Sequence, residues 1–212
     1  MLGKTKAAII VGFIICWAGA AGAGEEILRS FKQAGGRAYA PIYGQAPPPI
    51  GFVDFCARET AECRPLTPRA RKIRLTPQRW RQLQEVNSAV NRRIAPASDI
   101  ELYGVAEHWV MPTDAGDCED YVLLKKRQLQ GLGFAAETLL ITVVLDEQGD
   151  GHAVLLARTE SGDLVLDNRR DEIKRWTETR YQFLKRQSEQ NPRKWLALTP
   201  KSAPDSGAIA GN

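Results

Sequence analysis

Histidine and cysteine are scarce in this sequence, and their scarcity limits the chemistry that the chain can support. Among 212 residues there are two histidines and four cysteines. No group of these residues has the ligand spacing of a known zinc site, so a zinc centre is disfavoured. Internal repeats are also lacking.

A strong excess of either charge is lacking as well. The formal net charge is +4, and loss of residues 1–23, which contain Lys4 and Lys6, would reduce the 29 basic residues to 27, against 25 acidic ones. Several arginines lie within 58–74, but no aromatic residue alternates with them. These features do not favour nucleic acid or a membrane surface as a partner.

A hydrophobic run long enough for a confident membrane span is missing too. The apolar stretch 7–17 follows Lys4 and Lys6 and precedes the small residues 18–23. This order is typical of a secretory signal peptide, with cleavage after Ala23, and the stretch is short for a bilayer. We therefore expect an exported protein with no stable membrane insertion after cleavage. An uncleaved N-terminal anchor is the alternative.

Cleavage would leave three cysteines. In an exported protein the natural pair is Cys56 with Cys63, which closes a short loop. Cys118 is then the odd thiol. It is either a reactive residue or a buried and inert one.

The composition divides the chain into four segments. Residues 1–23 are the predicted signal peptide, and 24–50 form a lead-in rich in glycine, alanine and proline. We expect the lead-in to be extended and to contain no regular element after a short turn at 25–31. A single domain should cover 51–200, and the tail 201–212 should be disordered.

The hydrophobic pattern predicts two helices and several strands. Thr76 as N-cap and Pro77 at the first helical position open a helix over 77–94. A second helix runs from Cys118 to about Leu129 and ends near Gly131 and Gly133. The other predicted elements are a strand or extended segment at 51–56, a loop at 97–115, strands at 138–145, 151–159 and 163–167, and an amphipathic segment at 171–188. Short connections between the three strands favour an antiparallel meander with helices on one side.

Cys118 lies at the predicted start of the second helix. Asp117 can act as N-cap, and Glu119 and Asp120 fill the first turn, where acidic side chains favour the positive end of the helix. A helix N-terminus lowers the pKa of a thiol and makes the thiolate available as a nucleophile. This position therefore suits a catalytic cysteine.

A base and an orienting carboxylate are available on the predicted strands. His152 opens the second strand and Asp167 closes the third, so a hairpin of these lengths can place both at one end of the sheet. Cys118 would then attack a carbonyl, His152 would carry the proton, and Asp167 would hold the imidazole. His108 is the competing base, but it has no orienting partner at a defined spacing.

The chain resembles the bacterial transglutaminase-like cysteine peptidases, a family that includes LapG-type periplasmic proteases of biofilm adhesins. The resemblance covers roughly 50–197, and its motifs occur in order. They are Trp80-x-x-Leu83-x-x-Val86-Asn87-x-x-Val90-Asn91, Tyr103-Gly104, Glu107-x-Trp109-x-x-Pro112, Gly116-Asp117-Cys118-Glu119-Asp120-Tyr121, Gly151-His152-Ala153-Val154-Leu155, Leu166-Asp167-Asn168 and Tyr181-x-Phe183-Leu184-Lys185-Arg186-Gln187-Ser188.

The resemblance implies a fold and a site. The fold is α+β and papain/transglutaminase-like, with a cysteine at a helix N-terminus packed on an antiparallel sheet that carries histidine and aspartate. The family triad maps onto Cys118, His152 and Asp167. Members of the LapG type also bind calcium beside the nucleophile, which maps onto Asp117 and Glu119 and suits oxygen ligands. The alternative is that these two carboxylates only cap the helix.

The implied function is that of a periplasmic cysteine endopeptidase with a protein substrate such as a surface adhesin. The resemblance also raises an inner-membrane regulatory protein as a partner, although no residue identifies either. The same triad serves a transglutaminase or an amidase, because these enzymes share the acyl-thioenzyme step. A non-catalytic binding module on this fold is a third hypothesis, and it would not need all three residues.

Overall fold

A computed structural model describes residues 37–65 and 72–200, together with Glu26. The predicted signal peptide and the predicted tail lie outside these residues, as does the predicted turn at 25–31 apart from Glu26, and all three remain predictions. Within the described ranges, no helix combines the length and the apolar character that crossing a membrane requires.

A seven-stranded antiparallel sheet forms the centre of the fold. Its strands follow the order β1-β9-β8-β4-β5-β6-β7 from one edge to the other. Their bounds are Gly44–Ala46 (β1), Leu139–Leu145 (β4), Gly151–Thr159 (β5), Gly162–Asp167 (β6), Arg170–Arg175 (β7), Gln182–Gln187 (β8) and Trp195–Ala197 (β9). Two short strands, Ala95–Pro96 (β2) and Ala115–Gly116 (β3), pair in parallel outside this sheet. The predicted meander is confirmed as β4, β5 and β6.

Within residues 37–65 and 72–200, four α-helices accompany the sheet. They are α1 (Ile50–Arg58), α2 (Pro77–Arg93), α3 (Asp99–Tyr103) and α4 (Cys118–Gly131). The start of α2 agrees with the prediction, since the Thr76 side chain accepts a hydrogen bond from the Arg79 amide at 3.2 Å and Pro77 follows it. Helix α4 packs between α2 and β5, and for this reason most of its first ten residues are buried.

The central strands are buried on both faces, as their continuous apolar sequences predict. Leu155 and Ala157 of β5 join the core under the helices, whereas Val154 and Leu156 join a second core on the other face. Ala40 of the lead-in contributes to that second core. The sheet is therefore covered on one side by helices and on the other partly by the N-terminal chain.

The lead-in was predicted to lack regular elements, and this prediction is wrong. Residues Gly44–Ala46 form an edge strand against β9. Farther upstream, Asp163 and Ala38 are joined by a backbone hydrogen bond of 2.8 Å, and the Asp163 side chain accepts from the Ala40 amide at 3.0 Å. Gly162 permits this approach, because a Cβ there would lie 2.5 Å from the Ala38 carbonyl oxygen. Residues near position 40 are thus tied to the turn between β5 and β6.

The segment 51–56 is helical and was wrongly predicted as extended. Phe52, Phe55 and Cys56 of α1 are buried, and their spacing of three and four residues is that of one helix face. Phe-Val-Asp-Phe is rich in aromatic and β-branched residues, and over so short a window such a run cannot be told from a strand. The amphipathic segment 171–188, whose type the sequence left open, contains β7 and β8 with the 3₁₀ turn Trp176–Glu178 between them.

The structure contains the predicted disulfide between Cys56 and Cys63, with a Cα–Cα distance of 5.6 Å. Arg193 donates to the carbonyl oxygens of both cysteines, at 3.1 Å from Cys63 and 3.2 Å from Cys56. The disulfide loop is therefore fastened to the turn that precedes β9. Cys118 is the free cysteine of the described residues, and it is buried.

Two adjacent buried lysines of α4 should differ in their effects on stability. Lys125 is fully buried, and its Nζ has no hydrogen-bond partner among the described residues. Burial lowers its pKa to about 7. Lys126 is also buried, but its Nζ donates to the Leu139 carbonyl at 2.6 Å and to Gln187 Oε1 at 2.8 Å. An unpaired buried amine destabilises a fold, whereas a bonded one satisfies acceptors that also need a partner.

We expect Lys125→Met to raise the free energy of unfolding by roughly 2–4 kcal/mol at pH 7. Lys126→Met, the matched control, leaves the Leu139 and Gln187 acceptors without this donor, and burial lowers the pKa of Lys126 only to about 8, so we expect it to stabilise the protein less than Lys125→Met does. Because the folded-state pKa of Lys125 is depressed, its cost grows as the pH falls from about 10 towards 7. Urea unfolding at both pH values should show the gap between Lys125→Met and wild type widening at pH 7. A destabilised Lys125→Met would contradict the assignment of an unpaired amine.

Candidate active site

The ends of β5 and β6 place His152 beside Asp167. His152 Nε2 lies 3.0 Å from Asp167 Oδ1, and both side chains are buried. A carboxylate only accepts hydrogen bonds, so Nε2 carries the proton in this contact. Nδ1 is left as the position that can accept a proton, and it has no hydrogen-bond partner among the described residues.

Asp167 is held as an anion. Its Oδ2 accepts from the Tyr181 hydroxyl at 2.6 Å and lies 3.4 Å from Arg170 Nε, while Oδ1 also accepts from the Arg169 amide at 3.0 Å. Burial alone would raise the pKa of this carboxyl, but the hydrogen bonds from His152 and Tyr181 outweigh it and hold the pKa at about 2. Asp167 therefore stays charged opposite the imidazole at any ordinary pH.

Two asparagines of α2 fix the backbone that carries Asp167. Asn91 Nδ2 donates to the Asp167 carbonyl at 3.0 Å, and Asn87 Nδ2 donates to the Arg170 carbonyl at 3.0 Å. Both side chains thus grip the turn between β6 and β7. Their spacing of four residues on one helix face makes this double contact possible.

Cys118 is the first residue of α4, as predicted, and its sulfur lies against the start of β5. The amide of Ala153, the residue after His152, donates to Cys118 Sγ at 3.3 Å. The thiol donates a hydrogen bond to Glu119 Oε2 at 3.1 Å and makes none to the imidazole. The structure therefore brings the cysteine to the histidine strand with the thiol turned towards a carboxylate.

The expected low pKa of the thiol is corrected by the structure. Burial raises the pKa of Cys118 well above its ordinary value, and the charges of Glu119 and Asp117 raise it further. The helix N-terminus favours a thiolate, but desolvation and two adjacent carboxylates oppose it. From protein groups alone, the resting form of Cys118 is the thiol.

Three buried carboxylates meet beside Cys118. One oxygen from each of Asp99, Asp117 and Glu119 lies within 4.8 Å of the others. Asp117 stands at the N-cap position of α4, but its side chain makes no capping bond, so the predicted capping role is wrong. Asp99, at the start of α3, is the member that the sequence did not reveal.

The oxygens of this cluster are not satisfied by protein groups. Asp99 Oδ1, both carboxylate oxygens of Asp117 and Glu119 Oε1 are buried without a hydrogen-bond partner among the described residues. Burial raises the pKa of Asp117 to about 6 and that of Glu119 well above its usual range. Unpaired hard oxygen donors in one place match the ligand preference of Ca²⁺. The residues present therefore fit a calcium ion.

Asp120 has a different role from its two acidic neighbours. Its Oδ1 accepts from the Val110 amide at 2.8 Å, and its side chain packs on Gly116, where a Cβ would lie 2.6 Å from Oδ2. Asp120 therefore holds the loop before α4 close to the helix, and Gly116 provides the space for it.

His108 lies outside the His152–Asp167 pair. Its ring centroid is 4.6 Å from that of Tyr103, and its amide donates to Asp99 Oδ2. His108 thus supports the backbone around Asp99 rather than the imidazole–carboxylate pair.

A helix-borne cysteine next to a strand-borne histidine and aspartate defines a papain/transglutaminase-like α+β protein. A model of the bacterial transglutaminase-like cysteine proteinases matches residues 42–203, and the chain belongs to this family. It is accordingly a transglutaminase-like cysteine peptidase. No curated protein matches the chain significantly.

Solved structures of LapG from Legionella pneumophila are similar to this chain. The calcium-bound form is 21% identical over 86% of this chain and 92% of its own, with a TM-score of 0.49. A second structure of the same protein is 20% identical over 82% and 87% of the two chains, with a TM-score of 0.48. An EGTA-treated form is 19% identical over 85% and 88%, also with a TM-score of 0.48.

Proposed function

We propose that this peptidase is an endopeptidase in which Cys118 is the nucleophile, His152 the general base and acid, and Asp167 the orienting anion. The observation that carries the proposal is the His152–Asp167 contact of 3.0 Å. It fixes Nε2 as the protonated nitrogen and leaves a buried, unpartnered Nδ1 next to the strand position that holds Cys118 Sγ. This is the arrangement that a thiol–imidazole nucleophile requires.

In the first step of the proposed reaction, the Cys118 thiol breaks its hydrogen bond to Glu119 and makes one to Nδ1 of His152. The thiol proton moves to Nδ1, and the thiolate attacks the carbonyl carbon of the scissile peptide bond. The backbone N–H of Cys118, which has no intrahelical acceptor at the first position of α4, faces the developing oxyanion. His152 then protonates the leaving amine, and a water molecule that it deprotonates hydrolyses the thioester.

We further propose a calcium ion held by Asp99, Asp117 and Glu119. The support is the set of unpaired, buried carboxylate oxygens at this position. Bound there, calcium would offset the negative charge next to the thiol and engage Glu119, which removes the competitor for the thiol proton. The steps of the reaction are still carried out by Cys118, His152 and Asp167.

The compartment and the substrate are part of the same proposal. Export by the predicted signal at 1–23 would place the enzyme in the periplasm, where the Cys56–Cys63 disulfide is stable. The substrate is then an exported or surface protein, for which an adhesin is the family's example. The regulatory partner in this proposal is an inner-membrane protein that binds and inhibits the enzyme.

Hydrolysis and transamidation are distinguished by whether water or an amine accepts the acyl group from Cys118. Exported proteins would be incubated with the enzyme in ¹⁸O-water together with a labelled primary amine, with Cys118→Ala as the control. We expect ¹⁸O at new C-termini and no amine incorporation that depends on Cys118. Cys118-dependent amine incorporation without chain cleavage would overturn the endopeptidase proposal in favour of a transglutaminase.

A further inference from the structure

We infer that Tyr181 is a positioning residue that holds Asp167 and His152 in the orientation on which the proposed function rests. Tyr181 is buried and immediately precedes β8. No step of the proposed reaction uses the Tyr181 side chain. The inference comes from two contacts that it makes with two different members of the site.

The first contact fixes the carboxylate. The Tyr181 hydroxyl lies 2.6 Å from Asp167 Oδ2, on the oxygen opposite to the one that receives His152 Nε2. Oδ1 is held by His152 and the Arg169 amide, and Oδ2 is held by the Tyr181 hydroxyl, with Arg170 Nε farther away at 3.4 Å. A carboxylate held at one oxygen can rotate about its Cβ–Cγ bond, whereas one held at both cannot do so without losing a bond.

The second contact limits the imidazole. The rings of His152 and Tyr181 meet edge to face, with centroids 5.6 Å apart. Such a contact restricts rotation of the imidazole plane. Tyr181 thus touches the base through its ring and the orienting anion through its hydroxyl.

Arg170 determines which way the Tyr181 hydroxyl proton points. Arg170 Nη2 lies 3.3 Å from the Tyr181 oxygen, and its guanidinium sits 5.5 Å from the ring centroid. Arginine can only donate and carboxylate can only accept, so the hydroxyl accepts from Arg170 and donates to Asp167. Glu147 Oε1, 3.3 Å from Arg170 Nη2, secures the guanidinium from the neighbouring hairpin.

The charged groups that face Asp167 come from three elements and the turn between β6 and β7. They are His152 on β5, Arg169 in the turn, Arg170 on β7 and Lys125 on α4. None of the four restrains both the carboxylate and the imidazole plane. A change at Tyr181 should therefore alter the geometry of the pair while leaving its charges in place.

The test is Tyr181→Phe, which keeps the ring and removes the hydroxyl. We expect kcat to fall about tenfold with KM nearly unchanged, the size expected when a hydrogen bond to a charged group is lost. Tyr39→Phe is the matched control, since the Tyr39 hydroxyl bonds the Thr159 carbonyl at the far end of β5, 3.0 Å away. That control should retain wild-type kinetics.

A second readout does not depend on catalysis. The chain has two histidines, so a long-range ¹H–¹⁵N spectrum of the untagged protein contains only two imidazoles. In wild type we expect His152 to hold its proton on Nε2, and in Tyr181→Phe we expect a mixture of both tautomers. Arg170→Gln, which loosens the same hydroxyl, is judged by the same measurement if Tyr181→Phe does not fold.

The two readouts separate this inference from the proposed function. A wild-type imidazole spectrum in Tyr181→Phe together with unchanged kcat would overturn the positioning role. An altered tautomer in a protein without Cys118-dependent cleavage would support the role of Tyr181 and reject the peptidase mechanism.

Discussion

Asp167→Asn is expected to lower kcat/KM by about 10⁴-fold while the protein stays folded. An amide has the shape of the carboxylate, but its NH₂ can donate to the imidazole and stabilise the tautomer with the proton on Nδ1. That tautomer cannot accept the Cys118 proton. The amide also lacks the charge that stabilises the imidazolium formed during the reaction.

The control for this change is Asp146→Asn at the same end of the sheet. Asp146 bonds Arg169 Nη1 at 2.5 Å, and this hydrogen bond holds its pKa at about 2, like that of Asp167. Both carboxyls thus contribute stability that is present above pH 4 and lost as the pH falls towards 2. Each variant should flatten acid unfolding in this window, but only Asp167→Asn should lose activity on the scale of 10⁴. Comparable losses in both would reject the specific role of Asp167.

Removal of a carboxylate from the cluster beside Cys118 should raise the melting temperature in chelator and lower it in calcium. In chelator, Asp99→Asn is expected to unfold at a higher temperature than wild type, because burial makes the charged form of Asp99 costly and because the Asp99 charge in turn raises the pKa of Asp117. In calcium the order should invert. Saturation of wild type at one hundred times the dissociation constant adds about 2.7 kcal/mol, or roughly 5–10 °C for a chain of this size.

Activity should follow the same pattern. Wild type should lose most of its cleavage activity in chelator and recover it with calcium, and Asp99→Asn should stay weakly active in both. Asp114→Asn is the matched control, since Asp114 is an exposed carboxylate before β3 and lies outside the cluster. Differential scanning fluorimetry with calcium, magnesium and chelator supplies the readout that is independent of activity. An identical melting temperature with calcium and with chelator would remove the ion from this account.

Long and periodic elements could be predicted from the sequence, because each carries its own start and stop signals. Thr76 and Pro77 define the beginning of α2, and the helix of Cys118 ends at Gly131, with Gly133 in a left-handed conformation at φ +81°. The three strands of the meander are long, apolar and joined by short turns. At these positions the neighbouring residues alone are enough to predict the element and its ends.

The missed elements depend on partners that are distant in the sequence. Strand β1 has three residues and exists because β9 accepts it as an edge neighbour 151 positions later, as in the pairing of Gln45 with Leu196. Helix α1 shows its helical face only when Phe52 and Phe55 are seen to be buried. No window of neighbouring residues contains this information.

The residues of the site also differ in whether local sequence could predict them. Cys118, His152 and Asp167 could be proposed because each lies at the end of an element with clear boundaries. Asp99 could not, since only the folded chain brings a residue nearly twenty positions upstream against Asp117 and Glu119. Its one local signal is the capping box of Ser98 and Glu101, which marks a helix start and places Asp99 at its first position.

The central claim is that Cys118 cuts a protein chain, and the most direct test reads the cuts. Purified wild type and Cys118→Ala would be incubated in calcium with exported and surface proteins, and new N-termini would be identified by mass spectrometry. We expect new termini at defined positions with wild type and none with Cys118→Ala. The same termini with both proteins would contradict it.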